Sequence, residues 1–204
     1  MNVVVLFEDA PNAIGFVDKA RNFSEPYGDD LARWRQDCPS GSWLLWAAGL
    51  CGVARTELIS AACLCAREAF VYLPSDEKRP EQVIELVERW TRQEATVEEC
   101  SELGDEIETV QQEIGDRCGT GNDFNVAGAM LAAGCAAMPT YAVKYSNDQR
   151  WCAHFSAQTV QMASGGAKHT KGAAAMWDMH KLCADIVRNC LPEFHLPEEL
   201  PAKD

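Results

Sequence analysis

Thr96-Val97-Glu98-Glu99-Cys100-Ser101-Glu102-Leu103-Gly104-Asp105-Glu106-Ile107-Glu108-Thr109-Val110-Gln111-Gln112-Glu113-Ile114 is the stretch that decides the fold. Its apolar residues, Val97, Cys100, Leu103, Ile107, Val110 and Ile114, recur at spacings of three and four, the period of one helical face. Thr96 and Glu99 make a capping-box pattern at its start. Most other positions are acidic, so this helix carries one narrow apolar seam and a broad charged face.

The same period persists toward the N-terminus. Pro80 suits the first position of a helix that sets Val83, Leu86, Val87 and Trp90 on one stripe, with Glu85–Arg89 and Glu88–Arg92 as outer i,i+4 pairs. Pro74 to Arg79 is a loop, and Arg55 to Leu73 reads as a long helix, apolar on most sides and therefore central. Asp29 to Gln36 is a short helix closed by the turn Cys38-Pro39-Ser40-Gly41. Ser42 then caps a helix carrying Trp43, Leu44, Leu45 and Trp46. Val3 to Phe7 is β-branched but has no partner strand, and is expected as a short extended arm or a helical turn on the core.

Toward the C-terminus, Gly119 to Asn122 reads as a loop and Asp123 as the cap of an Ala/Gly-rich helix that ends near Pro139. Phe124 to Val143 contains no charge, yet its small residues and proline suit a packed interior helix better than a membrane span. Thr140 to Met162 and Lys168 to Leu191 read as two more helices joined by Ser164-Gly165-Gly166. The expectation is one all-α domain over residues 1–192, of about seven helices, followed by an acidic, Pro-rich tail over 193–204.

At 47% apolar and 24% charged, the 204 residues can bury enough core to offset ordering entropy. Thirty-one acids against 18 bases give a net charge of -13, which repels phosphate and anionic membrane and favours a basic protein partner. Met1 to Asp9 lacks the basic segment of a secretory signal. The ten cysteines, at 38, 51, 63, 65, 100, 118, 135, 152, 183 and 190, lie mostly in apolar runs and are expected as reduced, buried thiols of a cytoplasmic protein.

Catalytic signals are sparse. His180 and Cys183 stand at i,i+3 with Asp178 nearby, a metal half-site without a second half. Cys63 and Cys65, at i,i+2 on a helix, point apart. Ser164 to Thr170 lacks the spacing of a phosphate loop, and no nucleophile has a base in a familiar arrangement. The chain is therefore expected to be non-catalytic, with no cofactor and no metal. Charge carries more information: residues 94–123 hold ten acids and one base, Arg117. Glu98, Glu99, Glu102, Asp105, Glu106, Glu108 and Glu113 fall outside the apolar seam, where they form either a solvated face or a docking face for a cationic site.

Cys38-Pro39-Ser40-Gly41-Ser42-Trp43-Leu44-Leu45-Trp46 resembles the Cys-Pro-x-Gly-x-Trp-Leu-Leu-Trp signature of immunity proteins from bacterial polymorphic-toxin systems, the immunity-protein-five-like family. Ala62 to Glu68, with Arg67, is similar to that family's Cys-Ala-Arg-Glu helix. Arg79-Pro80 through Arg89-Trp90 is similar to its Arg-Pro-x-x-Ala-Ile-x-x-x-Arg-x-Trp helix. The likeness spans residues 28–93; Ser42 stands where the family often has Asp, and residues 94–118 are more acidic than its pattern. It implies an α-helical protein that binds and neutralises a toxin. From the residues alone, Trp43, Trp46 and Trp90 are expected to form an aromatic core cluster. The leading expectation is an immunity or inhibitor protein that occludes a basic toxin or nuclease-like partner. The alternatives are a phage-encoded inhibitor that imitates nucleic acid before a host defence nuclease, and a helical metal-dependent enzyme using Asp178, His180 and Cys183.

Overall fold

Helical periodicity carries through to the structure, a computed structural model that describes residues 1–8, 10–11, 17–118 and 124–200. These residues form nine α-helices and no strand: α1 Val17–Ser24, α2 Leu31–Asp37, α3 Gly41–Leu50, α4 Arg55–Ala69, α5 Arg79–Thr91, α6 Val97–Cys118, α7 Phe124–Lys144, α8 Gln149–Lys171 and α9 Ala173–Cys190. Two helices more than the expected seven arise partly from α1, whose eight residues are too short to read by period. The loop expected at Gly119 to Asn122 and the Asp123 cap lie outside the described residues.

Helices α6, α7 and α8 form an antiparallel layer in which small residues permit close approach. Gly104 of α6 lies against Thr140 of α7, and Gly128 of α7 lies against Gly166 and Thr170 of α8. A Cβ on Gly166 would come within 3.1 Å of the Gly128 carbonyl. Ser164-Gly165-Gly166 is therefore helix interior rather than the expected turn, because its glycines serve packing instead of chain reversal. The break falls at Gly172, whose φ of +92° suits glycine. Likewise α7 runs through Pro139 to Lys144, since packing from α6 and α8 holds it despite the missing N–H. Val126–Lys144 is long and apolar enough to cross a bilayer, and 67% of its most apolar window is buried among the other helices.

Helices α3, α4 and α9 pack against α8, and α4 also reaches α7. All ten residues of α3 are buried, as a helix without a polar face must be. Its cap is Ser40, whose Oγ accepts from Trp43 N–H at 3.5 Å, and not Ser42, which lies buried as the second residue of the helix. Helix α4 stops at Ala69 and tightens into a 3-10 turn, Phe70–Tyr72. The N-terminus is no extended arm: Val3–Phe7 is a 3-10 turn capped by Asn2, with Val3, Leu6 and Phe7 buried. The Trp46 indole donates to the Leu6 carbonyl at 2.7 Å. Just past α9, Arg35 donates to the Leu191 carbonyl at 2.9 Å and lies over the ring of Phe194, the tail residue buried on the core.

Candidate functional site

Helix α6 is fixed before its charges are considered. Thr96 N–H donates to Glu99 Oε2 at 2.7 Å and Glu99 N–H donates to Thr96 Oγ1 at 3.2 Å, the reciprocal cap read from the sequence. Along the seam, Cys100, Ile107, Val110 and Ile114 are buried and Val97 and Leu103 half-buried. Gln111 donates to the Met130 carbonyl of α7 at 2.9 Å. Attached by this face, α6 turns its carboxylates outward, and Glu98, Glu99, Glu102, Asp105, Glu106, Glu108 and Glu113 are all exposed.

Three of the seven have internal work. Glu99 belongs to the cap, and the hydrogen bond from Thr96 N–H holds its carboxyl below the usual range. Glu108 accepts from the Tyr141 hydroxyl at 3.4 Å, and that phenol is pushed up by burial and by the charges of Glu108 and Asp105. Glu113 pairs with Arg79 at 2.6 Å, and Arg79 also grips the buried carboxylate of Glu77 at 2.6 Å, tying the start of α5 to α6. Glu98, Glu102, Asp105 and Glu106 have no ion-pair partner among the described residues.

The residues of the sequence motifs serve the fold. Cys38 is buried, and its carbonyl accepts from Arg188 at 2.7 Å. Trp43 packs against Phe23 with ring centroids 6.0 Å apart. Pro80 is buried in the first turn of α5. Arg67 bridges to Glu88 through two hydrogen bonds, at 3.1 and 2.9 Å, which overturns the expected Glu88–Arg92 pair. Glu85–Arg89 does not form either: Arg89 donates to the Glu94 carbonyl and Arg92 pairs with the Glu94 carboxylate. Trp90 is half-buried and lines an open cleft of about 440 Å³ with Arg55 and Gln149, so the Trp43–Trp46–Trp90 cluster does not assemble.

Asp178, His180 and Cys183 are not brought together. His180 and Cys183 are buried under α3, with Ser40 Oγ 3.2 Å from His180 Nδ1, while Asp178 is exposed on another face of α9. Among the described residues no group of three His, Cys, Asp or Glu is placed to hold a metal ion. The side chains of nine of the ten cysteines are described, all as free thiols, and burial raises Cys38, Cys51 and Cys152 to about 12.

One surface feature escaped sequence reading. Tyr145 and Trp151, 43% and 49% exposed, stand beside half-buried Tyr141, His154 and Phe155 where α7 passes into α8. Their signal is a pair of i,i+4 aromatic spacings, Tyr141–Tyr145 and Trp151–Phe155, concealed in runs that otherwise read as core. In comparisons with known proteins, no family model, no curated protein and no solved structure matches this chain.

Proposed function

We propose that the chain is a non-catalytic helical binding protein that acts in the cytoplasm as an immunity or inhibitor protein, occluding a basic toxin or nuclease-like partner. The observation that carries this reading is the outward row Glu98, Glu102, Asp105 and Glu106 on a helix whose opposite face is locked into the core. Four carboxylates without an ion-pair partner repel one another, so they add little to the stability of the free protein. A cationic partner relieves that repulsion, and the field of the face speeds its approach. The likeness of residues 28–93 to immunity proteins supports the same class.

The test is affinity capture with the intact chain from its native host at low salt, followed by mass spectrometry. The expected product is one stoichiometric basic protein whose toxic or nuclease activity the chain inhibits. Recovery of no such protein, or of a partner whose activity the chain leaves unchanged, overturns the reading.

A further inference from the structure

The exposed aromatic layer at the α7–α8 junction adjoins the acidic face. Phe155 stacks with Tyr145 at 5.4 Å and with Trp151 at 5.8 Å, the ring planes inclined by 21° and 24°. Tyr145 and Trp151 lie 6.1 Å apart, and their outer surfaces meet solvent. Tyr141 joins this layer to α6, its ring 5.4 Å from Phe155 and its hydroxyl on Glu108. Apolar faces and carboxylates are thus continuous. His154, edge-on to both Trp151 and Phe155, adds no positive charge near neutral pH because burial holds it below its ordinary range. Lys144 is the one base in α7.

Exposed tryptophan and tyrosine are the side chains that anchor interfaces, and their ring faces attract cations, guanidinium above all. We infer that this layer is the anchor of a docking surface, and that it takes an arginine side chain from a basic protein segment. The guanidinium lies flat on Trp151 or Tyr145, while neighbouring cationic residues of the same segment meet the carboxylates of α6. This rests on the acidic-face reading above for its class of partner, and adds the contact that would convert electrostatic approach into a held complex.

The test uses the full chain labelled with 15N, and octa-arginine and octa-lysine peptides as probes. The Trp151 indole signal is assigned from Trp151→Phe. Octa-arginine is expected to shift that signal together with amides of residues 98–108. Tyr145→Ala/Trp151→Ala should weaken octa-arginine by about tenfold or more and octa-lysine by less, with circular dichroism unchanged. Shifts along α6 with Trp151 unmoved, and affinity in the double variant within about twofold of wild type, overturn the anchor while leaving the acidic face standing. No shift at either place removes both. A dimer in sedimentation that the double variant abolishes also overturns the inference, since the layer then holds a second copy of this chain.

Discussion

Replacing Gly41 by alanine sets helix propensity against packing at one atom. Alanine favours a helix over glycine by about 1 kcal/mol, so the change should stabilise α3 if nothing else intervened. Here the new Cβ would lie 2.6 Å from Cys183 Cβ, 2.7 Å from the Cys183 carbonyl carbon and 3.0 Å from Ala184 N. Two of those atoms are α9 backbone, so relief requires a helix to move rather than a side chain to rotate. Overpacking of this kind costs about 1–3 kcal/mol, and the backbone clash puts Gly41 at the upper end. Net of the propensity gain, the loss is about 1–2 kcal/mol, a fall in Tm of about 2–8 °C for a chain of this size. Gly115→Ala is the control of opposite sign. Its Cβ would meet Met130 Sδ at 3.5 Å, an ordinary contact, so about 0.5–1 kcal/mol should be gained. Thermal and urea unfolding of both variants decide the matter. A Gly41→Ala protein as stable as wild type would mean that α3 and α9 are not in backbone contact at this point.

Thiol reactivity should follow burial: under native conditions without reductant, iodoacetamide should modify exposed Cys190 first, and Cys38, Cys63, Cys65, Cys135, Cys152 and Cys183 only on unfolding. Peptide mass mapping checks this, and rapid modification of any of those six contradicts the packing. Burial pushes His180 down to about 4, so the unfolded chain takes up that proton at higher pH than the folded one. Its contribution to stability is therefore complete above about pH 6.5 and falls as the pH drops toward 4, a loss that His180→Gln should reduce. Urea unfolding at pH 7 and pH 5 measures the difference, and equal pH slopes in the two proteins would contradict it. Thr96→Ala removes the cap of α6 and should cost about 1 kcal/mol in the same assay; a loss near zero would mean that the reciprocal bonds contribute nothing.

Helices with one clear stripe were legible from sequence: the seam Val97 to Ile114 and the Thr96–Glu99 cap are found where periodicity and capping chemistry put them. Reading failed where a breaker residue had a tertiary role. Gly165, Gly166 and Pro139 signal turns in isolation, yet each sits inside a helix because a neighbouring helix sets its environment. Spacing reveals only local charge pairing, so it offers Glu88 a partner on its own helix, whereas Arg67 of α4 reaches it. At the candidate site, helical spacing predicts seven carboxylates outside the seam, and all seven are exposed. That Glu113 is bound to Arg79, and that an aromatic layer adjoins Glu108, depends on three-dimensional neighbours that no spacing encodes.

On the proposed reading, the outward carboxylates of α6 are a partner surface. Glu98→Lys/Glu102→Lys/Asp105→Lys leaves the seam, the cap and the Arg79 bridge intact, so the Tm of the free protein should be unchanged or slightly raised. Titration of this variant against the captured partner at two salt concentrations is the direct measurement. Affinity is expected to fall strongly, and wild-type binding to weaken with salt while the variant's does not. Equal affinity for the two proteins, insensitive to salt, would make the acidic face a solvated surface and contradict the claim.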